Sequence, residues 1–229
     1  EDTFTDCPLY EQTLWVGDAR NESLYAYTIF GATDIARRCI NIAAESLDFC
    51  PIIASQVPSC WQCVIPAWSF LWGISVWDYY WYTGDTAFLR EIWPSVIKNL
   101  QGAQRYIGEF GLFSGSFWNM FDWSKIDQEQ KTVLHNSMFA IGALDAALRC
   151  AKVLGDQDQI VWLRQFCNNL RKSINLFWDK KKRSYPDSVY KDGTQSQSIC
   201  QHTSFLSVLY DIVDKANIPF AAKNILNPS

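Results

Sequence analysis

The stretch "DCPLYEQTLWVGDAR", residues 6–20, places Asp6, Glu11 and Asp18 within thirteen residues, with Trp15 among them. Like charges so close repel, and aromatic neighbours such as Tyr10 and Trp15 disfavour ionisation by excluding water. Carboxyl groups whose proton affinities are driven apart are the equipment of glycoside hydrolysis. One acid protonates the leaving oxygen, and a second carboxylate activates water or attacks the sugar. In this reading Glu11 is the neutral acid, shielded by Tyr10 and Trp15. Asp6 and Asp18 stay ionised and accept hydrogen bonds from sugar hydroxyls. The alternative on spacing alone is plainer: Asp18 caps a helix, and the other two acids are solvated.

Other chemistries find little support. There is no glycine-rich phosphate loop, no GxGxxG, no HExxH and no GxSxG. Cys60-Trp-Gln-Cys63 has zinc or redox spacing, but no second CxxC exists and only His135 and His202 could assist. No metal or other cofactor is expected. The eight cysteines are irregularly spaced, which favours reduced thiols over a disulfide framework. A net charge of −4 without a basic stripe argues against nucleic acid as a partner. The run Lys180–Arg183 reads as a solvated turn. Phe49–Trp77 carries no formal charge, but Pro51, Pro58 and Pro66 break it, so a loop feeding a buried helix is expected rather than a membrane span. Eleven Trp, ten Tyr and fourteen Phe are a high share; most read as large core aromatics, and an excess of Trp also suits a carbohydrate site, where flat rings stack on the C–H faces of sugars. Cytoplasmic and secreted locations both remain open.

The elements that must position these residues are helical almost throughout. Asp18 reads as the N-cap of a helix running to about Leu47, with a loop over 48–62. An apolar helix follows from about Pro66 to Tyr82, then a more polar one from about Thr86 to Phe110. The aromatic segment "GLFSGSFWNMFDWSKID" reads as extended or irregular. Further helices are expected over Thr132–Leu154, Gln157–Phe177 and Cys200–Lys215, and one more just before "KNILNPS" brings the total to about seven. Gly84-Asp85 and Gly155-Asp156 each join an apolar helix to an amphipathic one, with Gly as a left-handed stop and Asp as the next cap. Apolar helices alternating with half-exposed ones imply inner and outer rings, an all-α (α/α) toroid of hairpins. Six hairpins need roughly 350 residues at typical helix and loop lengths. The 229 residues are therefore expected to form one incomplete toroidal domain.

At this point the opening stretch resembles the signature of the α-L-rhamnosidases, whose catalytic domain is an (α/α)6 six-hairpin barrel. Asp6-Cys7-Pro8, Glu11 and Trp15-Val16-Gly17-Asp18 carry the resemblance. Pro66-Ala67-Trp68-Ser69, the "YYWYTGD" of 79–85 and the Phe121-Asp122-Trp123 turn continue it in the right order. It implies hydrolysis of a terminal α-L-rhamnose with inversion. Glu11 matches the general acid, Asp6 and Asp18 match acids that hold rhamnose hydroxyls, and Trp15, Trp123 and Trp68 match aromatic walls of the sugar subsite. Many members have Gln-Arg-Asp-Glu-Arg where this sequence reads Leu9–Thr13, so the charges around the acid differ. The general base of the family lies in a later hairpin. It is expected beyond Ser229, with the rest of the barrel as the partner, and this stretch alone is expected to be inactive. Glu45, Glu91, Glu109 and Glu129 read as surface acids. Arg20 reads as a partner for Asp6 or Asp18 or as a surface residue. His202 and His135 read as satisfied core or rim histidines, and Asp122 as a sugar ligand or a turn cap. Rival readings are another six-hairpin glycosidase, an inactive carbohydrate-binding toroid, and an isoprenoid-handling barrel, which would need a metal motif that is not evident.

Overall fold

The computed structural model describes residues 2–226. Among them are eight α-helices: α1 Val16–Ile29, α2 Asp34–Glu45, α3 Pro66–Thr83, α4 Thr86–Gln104, α5 Leu134–Leu154, α6 Gln157–Asn175, α7 Gln201–Leu209 and α8 Ile218–Leu226. Two short strands, β1 Thr132–Val133 and β2 Ser188–Val189, pair antiparallel with Thr132 opposite Val189. Consecutive helices pack as hairpins, α1 with α2, α3 with α4, α5 with α6 and α7 with α8. The first helices of the hairpins also pack in a row, α1 on α3, α3 on α5 and α5 on α7. The architecture is therefore four hairpins of an α/α toroid, with the odd-numbered helices inside.

The inner–outer division follows from sequence. α3 and α5 are apolar on every side and bury most of their residues. α4 and α6 bury one stripe and expose the other face to water. The two Gly-Asp junctions form as expected: Gly84 and Gly155 end α3 and α5 in the left-handed region, at φ 67° and 73°. Asp85 then accepts the Phe88 N–H at 2.9 Å and Asp156 the Gln159 N–H at 3.2 Å, capping the next helix. Pro66 occupies the first turn of α3, where its missing N–H costs nothing.

The structure corrects several expectations. The single helix expected over Asp18–Leu47 is two helices, because Gly31 takes φ 62° and turns the chain at Phe30–Thr33. Asp18 is not the N-cap: α1 begins at Val16, and Trp15 occupies the cap without a side-chain bond to the helix. α5 begins at Leu134 rather than Thr132, since Thr132 and Val133 are held in the β1–β2 ladder. The helix expected over Cys200–Lys215 ends at Leu209, with Asp211 at φ 51°, and a separate helix, α8, follows it. α4 and α6 also stop short, at Gln104 and Asn175.

Buried polar groups fix the loops that carry the site. Asn99 of α4 is buried; its Oδ1 accepts Ile53 N–H at 3.0 Å and Ser69 O–H at 2.9 Å, tying the 46–65 connection to α3. That connection in turn pairs with the start of α1, through Val16 N–H to Ser55 O at 2.9 Å and a bridge between Trp15 and Gln56. In the irregular 105–131 segment, buried Asn119 donates to Gly115 O and Gln130 O, and its own Oδ1 accepts from Asn136 of α5. No helix among the described residues is long and apolar enough to cross a membrane. The acids Glu45, Glu91, Glu109 and Glu129 are all exposed, and Glu91 meets Arg37 at 3.0 Å.

Candidate active site

The six residues singled out from sequence meet in one place. Asp6, Glu11, Trp15, Asp18, Trp68 and Trp123 line a single cavity of about 250 Å³, together with Ile65, Trp118 and Met120. Its lining contains three carboxylates, four indoles and no basic side chain.

Each wall is held by a distinct device. Residues 6–13 close on themselves: Asp6 N–H donates to Thr13 O at 3.0 Å, and Thr13 N–H to Asp6 Oδ1 at 3.1 Å. Inside that loop Glu11 N–H donates to Cys7 Sγ at 3.1 Å, and Gln12 takes φ 53° to make the turn. The Glu11 carboxylate is then oriented by the Trp15 indole, whose Nε1–H donates to Oε2 at 2.6 Å. Trp68, on the first turn of α3, donates its indole N–H to Asp18 Oδ2 at 3.2 Å. Its ring lies flat against Gly17: a methyl group there would stand 2.6 Å from Trp68 Cγ and Cδ2. Only glycine lets α1 and Trp68 approach this closely.

The acids do not share one environment. Burial raises the pKa of Asp18, and the Trp68 hydrogen bond only partly offsets it. Slight burial pushes Asp6 the same way, but hydrogen bonds with the Cys7 thiol, backbone N–H groups and Glu11 win, leaving its pKa below the usual carboxylate value. The expected shielding of Glu11 is corrected. Glu11 is exposed and Tyr10 is 86% exposed, so Tyr10 shields nothing; the side chains that engage Glu11 are Asp6 and, as a hydrogen-bond donor, Trp15. Asp18, expected to stand freely ionised, is the acid whose charge its surroundings disfavour.

Arg20 pairs with neither Asp6 nor Asp18. It reaches across to α3 and meets Asp78 at 2.8 Å. His135 is buried, with Nε2 3.1 Å from Asn119 O, and burial lowers its pKa to about 3. His202 contacts Asp122 at 2.9 Å. Asp122 lies outside the indole-lined cavity; its Oδ1 accepts the Trp123 N–H at 2.6 Å, so it caps a turn. A larger cavity, about 900 Å³, opens behind it between the 122–125 turn and the α7–α8 hairpin, but it offers a single carboxylate, Asp122, already engaged by His202. Among the described residues no group of three or more His, Cys, Asp or Glu side chains is placed to hold a metal. Cys60 is exposed while Cys63 is buried, and all eight cysteines are free thiols.

Trp118, Met120 and Ile65 were not predicted. Trp118 and Met120 alternate along an extended segment, and a period of two puts alternate side chains on one side. That pattern was available in "FWNMFDW". Trp118 packs against Trp15 and Trp123 edge-on, with ring centres 6.4 and 6.3 Å apart. Trp61, half exposed, extends the cluster at 5.8 Å from Trp118.

Chemically, carboxylates on one side and fixed indoles on the other suit a neutral polyhydroxylated ring. Hydroxyls reach the acids and C–H faces lie on the aromatics. Comparison with known proteins bears on this geometry. The family model described as bacterial alpha-L-rhamnosidase 6 hairpin glycosidase domain matches residues 1–227. Among solved structures, a GH78 family rhamnosidase of Bacillus sp. GL1 is similar at 35% identity and a TM-score of 0.95, covering 100% of this chain and 24% of that one. A rhamnosidase from Klebsiella oxytoca with rhamnose bound is similar in fold, at 20% identity and a TM-score of 0.81, covering 99% and 44%. The chain thus spans less than half the length of either. A comparison with curated proteins finds no match.

Proposed function

Because the chain belongs to the bacterial α-L-rhamnosidase six-hairpin glycosidase domain family, we propose that it forms the acid half of a rhamnoside-hydrolysing site. Glu11 protonates the glycosidic oxygen as the bond to the anomeric carbon breaks. Its orientation by Trp15 at 2.6 Å is the observation that carries the assignment, because general acid catalysis needs the proton held in one direction. Asp6 and Asp18 hold ring hydroxyls, and Trp15, Trp68 and Trp123 wall the sugar. Ile65 and Met120 suit the methyl group that distinguishes a 6-deoxy sugar from its parent hexose. The chain's 35% identity to a rhamnosidase over its whole length supports this choice of sugar.

In this reading the reaction inverts the anomeric centre. A carboxylate from a hairpin outside this stretch deprotonates water on the opposite face, roughly 6.5–9.5 Å from Glu11. The partner is the rest of the same barrel, and residues 1–229 alone hydrolyse nothing. The test is a panel of aryl glycosides offered to the intact protein, with the first-formed anomer read by proton NMR. Cleavage of the α-L-rhamnoside alone, with the β anomer appearing first, is expected. Cleavage of a glucoside instead, or retention of configuration, would overturn the reading.

A further inference from the structure

His202 sits on inner helix α7, eighty residues after the Trp123 turn, and contacts none of the sugar-site carboxylates. Its Nε2 lies 2.9 Å from Asp122 Oδ2. A carboxylate only accepts, so Nε2 carries the proton. The imidazole is wedged edge-on to Phe121, with ring centres 4.8 Å apart, and beside Phe205 at 5.4 Å. Nδ1 is buried and has no partner among the described residues, so the contact to Asp122 is the ring's one polar bond.

Asp122 is in turn committed on its other side. Oδ1 accepts the Trp123 N–H at 2.6 Å. Its main chain is gripped by Gln128, whose Nε2 donates to Asp122 O at 2.8 Å and whose Oε1 accepts the Phe121 N–H at 2.8 Å. The turn therefore has its fixed points at Asp122 and Gln128. Trp123 itself is 84% exposed, and among the described residues its one ring contact is edge-on against Trp118, so its own ring has little to hold it. Two carboxylate oxygens link α7 to the backbone that aims this indole into the cavity.

We propose that His202 is a positioning residue that acts through Asp122 to set the Trp123 wall of the site. Its effect is to order the wall before substrate arrives, so it is felt in binding and little in chemistry. This rests on the reading of the cavity as the rhamnose site, and its test separates the two. Intact protein carrying 5-fluorotryptophan gives one fluorine resonance per indole, and Trp123→Phe identifies the one that matters. His202→Phe keeps a ring against Phe121 and Phe205 but removes the donor. It is expected to shift and broaden the Trp123 resonance and to raise KM for an aryl α-L-rhamnoside about tenfold with kcat within about twofold. His202→Gln restores a donor and brings both back at least halfway. Asp122→Ala, on a half-exposed turn that core packing does not depend on, reproduces the His202→Phe spectrum and guards against a folding defect. An unmoved Trp123 resonance in Asp122→Ala, or no recovery with His202→Gln in a protein that melts like the wild type, would overturn the proposal. Should the intact protein cleave no rhamnoside at all, the functional reading fails, while the fluorine spectra still decide the role of His202.

Discussion

Replacing Gly17 by Ala tests how tightly the site is assembled. Gly17 is the second residue of α1 and is buried. The added methyl would stand 2.6 Å from two atoms of the Trp68 ring and 2.7 Å from a third, whereas carbon atoms rest at about 3.5–4.0 Å. Ring or helix must therefore move by about 1 Å. The Trp68–Asp18 bond, already 3.2 Å, is carried out of hydrogen-bonding range by that movement. Overpacking of this kind costs about 1–3 kcal/mol. Alanine recovers up to about 1 kcal/mol over glycine as a helix former, and less in a first turn. The balance is a loss of about 1–2 kcal/mol, or a fall in Tm of about 2–8 °C for a domain of this size. Urea unfolding followed by tryptophan fluorescence reads the loss, and Trp68→Phe in the same protein is expected to return part of it by making room. A Gly17→Ala variant as stable as the wild type, or more so, would refute the reasoning, because helix propensity alone predicts that sign.

Three further outcomes follow from the same geometry. Burial raises the Asp18 pKa above 3.8, so the folded state holds that proton more tightly than the unfolded chain, and stability falls as pH rises from about 3.8 through the raised value. Asp18→Asn, which keeps an acceptor for Trp68, is therefore expected to gain on the wild type across that window and to hold a constant lead above it; urea midpoints from pH 3.5 to 7 measure this. His135 is depressed to about 3, so it contributes stability that is present above about 6.5 and lost as pH falls toward 3. Its imidazole C–H resonances are expected to stay untitrated to about pH 4 in the folded protein. Asp85→Ala should cost about 1 kcal/mol, mostly as a lost cap, since its partly exposed 3.6 Å pair with Arg37 adds little, but Asp156→Ala about 2. Asp156 also accepts the Trp93 indole N–H at 2.9 Å, whose donor is then left buried and unpaired; the two melting curves give the comparison.

The hairpin plan was legible because it is written in local signals. Gly84-Asp85 and Gly155-Asp156 specify a left-handed stop and a cap with no help from the rest of the fold. Gly31, followed by Ala32-Thr33-Asp34, is a similar signal, and was missed because the hydrophobic pattern runs on across it. That Asp6, Glu11, Trp15 and Asp18 share one cavity was also readable, since they are close in sequence, whereas Trp68 and Trp123 were named only through the family resemblance. What the sequence could not supply was environment. Tyr10 follows the acid loop outward into water, and Arg20 is drawn to Asp78 because α1 and α3 pack face to face. Asp18 is half-buried and accepts from Trp68, fifty residues away, whose approach depends on the missing side chain at Gly17. Those are long-range facts, fixed only when the inner helices assemble.

The account stands on Glu11 as the proton donor, and leaving-group dependence tests that most directly. In the intact protein, Glu11→Gln is compared with wild type on an aryl α-L-rhamnoside and on an alkyl one. An aryl oxide leaves with little protonation, whereas an alkoxide needs the proton. Loss of a general acid costs about 10²–10⁴ in rate where the proton is needed. The expected result is a loss in that range on the alkyl substrate and a much smaller one on the aryl substrate. Equal losses on the two, or unchanged turnover on the alkyl rhamnoside, would contradict it.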